Sequence, residues 1–237
     1  MNDLSRFSVG IFDIDGCVID SRAECFEVLR ILYQDDDLGT IDGVKENFMR
    51  YRFLVRTADQ FKSLVEALLC ANEDIRRSFL KNEEQYTNRE RKSFLKKFFE
   101  TRAEIIAKDK LAWLNLHNVY PKFAKIRDFY SLVRHPYIVS AKNSRAIKEI
   151  LDYFEFNTNI CGVYGGEEFD KEHHFKSILN AHPNENIFII DDNLDNLSFA
   201  HMLGISGFLA DWGYVDLEEH NANNVRSYSN GSDCIFN

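Results

Sequence analysis

The sequence predicts an α/β fold in which a doubly wound, parallel sheet of five strands is interrupted after its first strand by an inserted helical domain. Two observations carry this prediction. From about residue 120 onward, short apolar runs alternate with amphipathic helices, which is typical of parallel βαβ units joined by right-handed crossovers. Before that region, residues 21–116 have almost entirely helical spacing. A chain of 237 residues is long enough for one large domain, or for a core plus a smaller satellite.

Short apolar runs are the predicted strands, and amphipathic segments are the predicted helices between them. The first run ends directly in an acidic cluster and has the pattern of a buried strand. The predicted strands are residues 8–12, 137–139, 159–163, 187–190 and 206–210. The predicted helices are residues 143–154, 172–180 and 195–203, the last followed by Gly204 as a C-cap. This alternation predicts parallel strands, because each helix returns the chain to the same edge of the sheet.

Residues 21–116 carry two apolar stripes at helical spacing. The first stripe has Thr57 as its candidate N-cap, and the second lies on a longer, highly charged segment. The first consists of Phe61, Leu64, Val65, Leu68 and Leu69, and the second of Phe94, Leu95, Phe98, Phe99, Ile105 and Ile106. We therefore assign residues 1–20 and 117–237 to an α/β core and residues 21–116 to a helical cap.

The acidic composition limits the partners of the protein. Lys and Arg number 29 against 38 Asp and Glu, and the formal net charge of −9 opposes binding to nucleic acid or to an anionic membrane. No apolar run approaches the roughly 20 residues of a membrane helix.

The 5 cysteines are scattered without a CxxC pair and suggest neither a disulfide framework nor a zinc site. We expect a cytoplasmic protein, a monomer or small homo-oligomer, whose partner is a small molecule.

Acidic side chains follow two of the predicted strands. Asp13 and Asp15 come after the first strand, and Asp191 and Asp192 come after the strand at 187–190. In an open parallel sheet, ligands bind beyond the carboxyl ends of the strands, so we expect these carboxylates to converge. Their repulsion is costly unless a cation neutralises it. A set of hard oxygen ligands with no adjacent His or Cys predicts Mg²⁺, which commonly bridges to phosphate oxygens.

A site this acidic can accept a phosphate group only if other side chains balance the added negative charge with a positive charge or with hydrogen bonds. Lys171 at the start of a helix and the hydroxyl of Ser140, directly after the strand at 137–139, are in suitable places along the chain. The residues alone therefore point to a Mg²⁺ site that also has the side chains needed to accept a phosphate group.

Four short motifs occur in one order along the chain. They are Asp13-x-Asp15-Gly16-x-x-x-Asp20, Ser140 after a strand, Lys171 at a helix start and Asp191-Asp192-x-x-x-Asn196. This set resembles the motifs of the haloacid dehalogenase (HAD) superfamily, in that family's order. The resemblance spans the α/β core and implies a Rossmann-like sheet. The helical insertion after the first motif is similar to the C1 cap of the phosphatase branch, as in phosphoglycolate phosphatase-like proteins.

The resemblance implies roles for the acidic residues. Asp13 would be the nucleophile that forms an aspartyl-phosphate, and Asp15 would protonate the leaving oxygen and later deprotonate water. Mg²⁺ would be held by the carboxylates of Asp13 and Asp192 and by the backbone carbonyl of Asp15. Three further residues would position these groups rather than react, namely Asp20, Asp191 and Asn196.

The resemblance also implies a set of phosphate-binding groups. Ser140, the backbone amide of Ala141 and Lys171 would bind the phosphoryl oxygens. The lysine is open to alternatives, because Lys176 lies on the same predicted helix and Lys142 lies near Ser140. The chain also departs from the family pattern at Cys17, where Thr or Val is usual, and at Ala141, where Asn or Gly often follows the serine.

The function implied is that of a Mg²⁺-dependent phosphomonoester hydrolase acting on a small phosphorylated metabolite. Asp15 argues against carbon–halogen cleavage, because the dehalogenase members of the family lack this acid. A calcium loop is a poor alternative, because an EF-hand places glycine at its sixth position and Gly16 is fourth here. Two other functions remain open: a phosphomutase of the same family, and a catalytically idle protein that uses the core and cap as a binding surface.

Overall fold

The protein is described by a computed structural model that covers residues 6–34, 38–70, 74–121, 133–156, 160–166 and 170–216. Two compact units make up the chain. Met1–Asp20 and Val119–Asn237 form one, which we call the core unit, and Ser21–Asn118 forms the other, which we call the helical unit.

The described elements follow the predicted alternation. The strands are β1 (Val9–Phe12), β2 (Ile19–Asp20), β3 (Asn118–Val119), β4 (His135–Val139), β5 (Gly162–Tyr164), β6 (Ile187–Asp191) and β7 (Ser206–Leu209). The α-helices are α1 (Arg22–Leu32), α2 (Val44–Tyr51), α3 (Phe61–Leu69), α4 (Ile75–Gln85), α5 (Asn88–Lys108), α6 (Lys110–Leu114), α7 (Ser144–Tyr153), α8 (Lys171–Ala181) and α9 (Leu194–Met202). None of the described helices is both long enough and apolar enough to span a membrane.

The main sheet of the core unit has five strands in the order β5-β4-β1-β6-β7. All four neighbouring pairs are parallel, which confirms the predicted doubly wound, parallel sheet. From β1 the chain adds β4 and β5 on one side and β6 and β7 on the other. The order therefore reverses at β1, and the carboxyl ends of β1, β4 and β6 lie at the switch point where such sheets bind ligands.

Strand β1 is central because its residues can pack on both faces of the sheet. Side chains alternate between faces: Val9 and Ile11 belong to a buried cluster with residues of α8 and α9. On the opposite face, Phe12 contacts Phe188 edge to face, with ring centroids 5.6 Å apart. Gly10 lies beside this pair, and a side chain there would collide with both rings.

The strand bounds differ from the prediction where the sequence signal is weak. Strand β4 begins at His135, two residues before the predicted start, because Pro136 pairs through its carbonyl, which accepts the Cys161 N–H at 2.8 Å. Strand β5 runs from Gly162 to Tyr164, so it begins later than the predicted range 159–163 and ends one residue past it; residue 159 lies outside the described residues. Strands β2 and β3 form a separate two-stranded sheet, and each is too short to show a periodicity.

The helical unit packs around the two predicted apolar stripes. Phe61, Leu64, Phe94 and Phe98 belong to one buried cluster, and the Phe61 and Phe98 rings stack with centroids 5.1 Å apart. The predicted cap Thr57 precedes a 3₁₀ turn rather than the helix itself. That turn leads directly into α3.

A buried ion pair lies within the helical unit. Arg102 Nε on α5 donates to Glu24 Oε1 on α1 at 2.6 Å, and Trp113 Nε1 donates to the same oxygen at 3.2 Å. Only 6% of the Arg102 side chain and none of the Glu24 side chain is exposed. Removing one partner of a buried pair leaves an uncompensated charge and is strongly destabilising.

We expect Arg102→Met to lower the free energy of unfolding by about 3–5 kcal/mol, because it leaves the Glu24 carboxylate buried without its cation. The matched control is Arg30→Met, which removes the exposed Arg30–Glu27 pair and should cost less than about 1 kcal/mol. Urea unfolding at pH 7 measures both changes. Equal losses in the two variants would contradict a structural role for the buried pair.

Candidate active site

The switch point of the sheet gathers predicted site residues from three strands. Asp13 directly follows β1, and its N–H donates to the Ile190 carbonyl at 3.0 Å. Ser140 directly follows β4, and Asp191 is the last residue of β6. All of them are buried. Residues far apart in the chain therefore meet at one edge because adjacent parallel strands end there.

Lys171 bridges two of these carboxylates. It is the first residue of α8, whose N-cap Asp170 accepts the His173 N–H. Lys171 Nζ lies 2.9 Å from Asp13 Oδ2 and 2.7 Å from Asp191 Oδ2. Burial alone lowers the pKa of Lys171, but the charges of Asp13 and Asp191 outweigh burial and raise that pKa above its ordinary value. Lys171 is therefore a fixed cation in this site.

The two alternative lysines lie elsewhere. Lys176 is exposed and its Nζ is 3.9 Å from Glu172 on the same helix. Lys142 is buried, and its Nζ is 3.2 Å from Asp15 Oδ2. Of the three lysines weighed from the sequence, Lys171 is the one that contacts the carboxylate of Asp13.

Asp13 carries a charge that its surroundings only partly offset. Burial raises the pKa of Asp13 to about 6, and the charge of Asp191 acts in the same direction. The charge of Lys171 and hydrogen bonds from Lys171 and Ser140 act in the opposite direction. A further cation would complete the neutralisation of this carboxylate.

The donor set near Asp13 fits a hard divalent cation. One oxygen each from Asp13, Asp191 and Asp192 lies within 4.8 Å of the others, and all three residues are buried. Buried carboxylate oxygens are the ligands that Mg²⁺ prefers. The third carboxylate of this cluster belongs to Asp191. The sequence-based prediction instead gave the backbone carbonyl of Asp15 as the third ligand, and the side chain of Asp15 is not part of the cluster.

Asp191 is held by several donors. Its Oδ1 accepts the Asn193 N–H at 2.9 Å, and the Asn196 amide reaches both carboxylate oxygens at 3.1 Å. Together with Lys171 these contacts occupy both oxygens of Asp191. The arrangement suits a residue that orients its neighbours, as predicted for Asp191 and Asn196.

Lys142 is a residue of the site whose contact the sequence did not reveal. Its side chain is fully enclosed, whereas 17% of the Asp15 side chain is exposed. Lys142 N–H also points to Ser140 Oγ at 3.4 Å, and Ala141 lies between these two residues in the loop after β4. The only signal in the sequence was a lysine two residues after Ser140. The sequence could not show that Asp15 is the partner of Lys142, because this contact depends on the three-dimensional fold.

The segment after β7 supports the loop after β1. Trp212 Nε1 donates to the Cys17 carbonyl at 2.8 Å, and the Tyr214 N–H donates to Asp192 Oδ2 at 2.8 Å. The Tyr214 hydroxyl also reaches Asp20 Oδ1 at 3.4 Å. A side chain at Gly213 would overlap the carbonyl of Gly16. The aromatic-Gly-aromatic segment thus positions a predicted metal ligand and the predicted positioning residue Asp20.

Gly16 needs the conformational freedom of glycine. Its φ of +80° is in the left-handed region, and a Cβ there would collide with the Asp192 carboxylate. The neighbouring Cys17 is buried, and burial, followed by the charges of Asp13 and Asp191, raises the pKa of its thiol well above the ordinary value. A thiol kept protonated is a poor nucleophile, so Asp13 is the better candidate for that role.

Comparison with solved structures identifies the fold. The chain is similar to a haloacid dehalogenase-like hydrolase from Streptococcus pneumoniae, with 15% identity, a TM-score of 0.60, and coverage of 95% of this chain and 92% of that one. A protein from Lactobacillus delbrueckii assigned as a phosphoglycolate phosphatase gives 14% identity and a TM-score of 0.64, covering 94% of this chain and 92% of that one. The protein therefore has the fold of HAD-like hydrolases, which confirms the predicted resemblance at that level.

A third similar structure holds a metal. It is a protein from Bacillus subtilis assigned as a HAD hydrolase and bound to magnesium, with 17% identity and a TM-score of 0.54, covering 92% of this chain and 99% of that one. No protein-family model and no curated protein matches the chain in sequence.

Proposed function

We propose that the protein is a Mg²⁺-dependent phosphomonoester hydrolase that acts on a small phosphorylated metabolite through an aspartyl-phosphate on Asp13. The observation that carries the proposal is the Lys171 ammonium between the carboxylates of Asp13 and Asp191, beside Ser140 at the switch point of the sheet. A nucleophile, a fixed cation and a hydroxyl at one point are the groups that phosphoryl transfer requires.

The chemistry proceeds in two displacements. In the first, a carboxylate oxygen of Asp13 attacks phosphorus in line, and the bond from phosphorus to the leaving oxygen breaks while Asp15 donates a proton to that oxygen. In the second, Asp15 takes a proton from water as the water oxygen attacks the phosphorus of the aspartyl-phosphate. Free phosphate leaves and the Asp13 carboxylate is restored.

The metal and the phosphoryl group would share this site. The carboxylates of Asp13 and Asp192 and the backbone carbonyl of Asp15 would hold Mg²⁺, which when bound neutralises charge on the nucleophile and phosphoryl oxygens. One protein that shares the fold binds magnesium, which supports this choice of ion. Ser140, the Ala141 amide and Lys171 would bind the phosphoryl oxygens.

Lys142 would act as a positioning residue for Asp15. Because the Lys142 ammonium is enclosed and 3.2 Å from the Asp15 carboxylate, it can hold this acid in one orientation. An acid that is misplaced by about 1 Å loses much of its effect on the transition state.

We expect Lys142→Met to lower kcat about 10- to 100-fold with a smaller change in KM, because the substrate phosphate does not depend on this lysine. Lys142→Arg should restore part of kcat, and Lys148→Met, an exposed lysine on α7, is the matched control. Steady-state kinetics of phosphate release measures all three. A rise in KM at unchanged kcat would instead identify Lys142 as a substrate-binding residue.

The proposed function is tested by phosphate release from a panel of small phosphomonoesters and one aryl phosphate. Hydrolysis that requires Mg²⁺ and stops with a chelator is expected. Isomerisation of a sugar phosphate without net phosphate release would favour the phosphomutase. A folded protein that binds Mg²⁺ but turns over none of the compounds would favour the idle binding protein.

The same proposal covers the compartment of the protein, the role of the helical unit and the class of partner. Within the described residues no cysteine forms a disulfide, and these cysteines are Cys17, Cys25, Cys70 and Cys161; this suits a reducing compartment such as the cytoplasm. The helical unit corresponds to the C1 cap of the HAD phosphatases. The net charge of −9 favours a small metabolite over nucleic acid or a membrane, and we expect a monomer or small homo-oligomer.

A further inference from the structure

A second cluster of metal-ligand side chains lies in the core unit, at the amino edge of the sheet. It consists of His135, His182 and Glu185, each of which offers one ligand atom within 4.8 Å of the others. His135 is the first residue of β4, and the other two precede β6. Ser140 lies five positions after His135, and this length of strand places the cluster about 16 Å from the carboxyl edge. It is therefore separate from the candidate active site.

The spacing of the ligand atoms suits a tetrahedral ion. Glu185 Oε1 lies 3.4 Å from His182 Nδ1 and 3.8 Å from His135 Nε2. Two ligands at about 2.0–2.1 Å from a tetrahedral Zn²⁺ are about 3.3 Å apart. Small side-chain rotations would therefore bring both nitrogens and the carboxylate to bonding distance.

The second nitrogen of each imidazole already has a partner. His182 Nε2 lies 2.9 Å from the Tyr137 hydroxyl, and His135 Nδ1 lies 3.8 Å from Cys161 Sγ. If His182 Nε2 and His135 Nδ1 carry the ring protons, the other two nitrogens, His182 Nδ1 and His135 Nε2, keep lone pairs that point toward Glu185. Metal-bound histidines are oriented in this way by a partner on the other ring nitrogen.

The carboxylate also has spare capacity for a ligand bond. Glu185 Oε2 is enclosed and accepts no hydrogen bond within the part of the chain that the structure describes. The three side chains keep between 10% and 30% exposure, which leaves access for an ion and a water molecule.

We propose that His135, His182 and Glu185 form a binding site for a Zn²⁺-type transition metal, with a water molecule as the fourth ligand. Two imidazoles and one carboxylate are a known zinc ligand set, whereas Mg²⁺ prefers oxygen ligands alone. The ion would tie the start of β4 to the turn between α8 and β6. Its role is to stabilise the amino edge of the sheet, independently of the proposed phosphatase activity.

The test is calorimetric titration of Zn²⁺ into chelator-treated full-length protein, with excess Mg²⁺ present to fill the carboxylate site. One equivalent of Zn²⁺ should bind and raise the melting temperature of the protein. Glu185→Gln and His182→Ala should each weaken this binding at least about tenfold. The control His173→Ala removes an exposed histidine of α8 and should bind as the wild type does.

Co²⁺ gives a second readout that does not depend on stability. Its visible absorption should show a four- or five-coordinate ion in the wild type and lose those bands in both ligand variants, whose folding is checked by circular dichroism. Phosphate release should be unchanged in Glu185→Gln, because the cluster is remote from Asp13. The proposal is overturned if the wild type binds no Zn²⁺ when excess Mg²⁺ fills the carboxylate site. It is also overturned if Cys161→Ser abolishes binding while Glu185→Gln preserves it.

Discussion

Asp13→Asn is expected to lower phosphate release by at least about 10³-fold, because an amide cannot attack phosphorus as a carboxylate does. The side chain keeps its size and can still accept hydrogen bonds from Ser140 and Lys171, so the fold should be retained. Release assays with the best substrate of the panel measure the loss, and circular dichroism checks the fold. A folded variant that retains a tenth or more of wild-type activity would exclude Asp13 as the nucleophile.

The same variant should be more stable than the wild type when no metal is bound. Burial raises the pKa of Asp13 from 3.8 to about 6 in the folded protein. The folded state therefore binds the proton more tightly than the unfolded state does, and ionised Asp13 lowers stability as the pH rises from about 4 to above 6. At pH 8 this cost is on the order of 2–3 kcal/mol, and Asp13→Asn removes it.

Unfolding of chelated protein between pH 4 and pH 8 measures this effect. The stability difference between Asp13→Asn and wild type should be largest at pH 8 and small near pH 4, close to the unfolded-state pKa of 3.8, below which the carboxyl group is protonated in both states. Added Mg²⁺ should stabilise the wild type more than the variant. A variant that is less stable than chelated wild type at pH 8 would contradict the assigned charge of this site.

Lys171→Met is expected to reduce both activity and stability. The substitution leaves the buried carboxylates of Asp13 and Asp191 without the cation between them, which should cost about 3–5 kcal/mol of unfolding free energy at pH 8. It also removes a proposed phosphate ligand, so kcat/KM should fall at least about 10²-fold. Because methionine has a similar length, loss of packing contributes little.

The matched control is Lys176→Met on the same helix. Lys176 is exposed and its ion pair with Glu172 is long, so the change in unfolding free energy should be within about 0.5 kcal/mol and activity should be unchanged. Urea unfolding and phosphate release are measured on both variants. Similar effects of the two substitutions would mean that Lys171 is not the cation of the site.

The sequence predicted the sheet because its strands carry continuous apolar runs. The runs at residues 8–12 and 187–190 are each followed directly by an acidic residue, and the helices between strands have clear apolar stripes. Strand β4 was predicted too short because Pro136 weakens a strand pattern, although its carbonyl still pairs. The two-residue strands β2 and β3 carry no pattern that a sequence could display.

The candidate site was predictable where a motif places residues just after a strand, as for Asp13, Ser140 and Asp191. The contact between Lys142 and Asp15 was not, because it joins loops after different strands and depends on the order of those strands. The cluster of His135, His182 and Glu185 was missed for the same reason. Strands β4 and β6 flank β1 on its two sides, and only the folded sheet brings their amino ends to the same edge.

The measurement that tests the central claim most directly is reductive trapping of the phosphorylated enzyme. Wild-type protein is mixed with substrate and Mg²⁺ and treated with borohydride, which reduces an acyl phosphate to the alcohol and releases phosphate. Peptide mass spectrometry should then find homoserine in place of Asp13, and only when both substrate and Mg²⁺ were present. Substrate turnover without any modification at Asp13, or with the modification at Asp191 or Asp192 instead, would contradict the account.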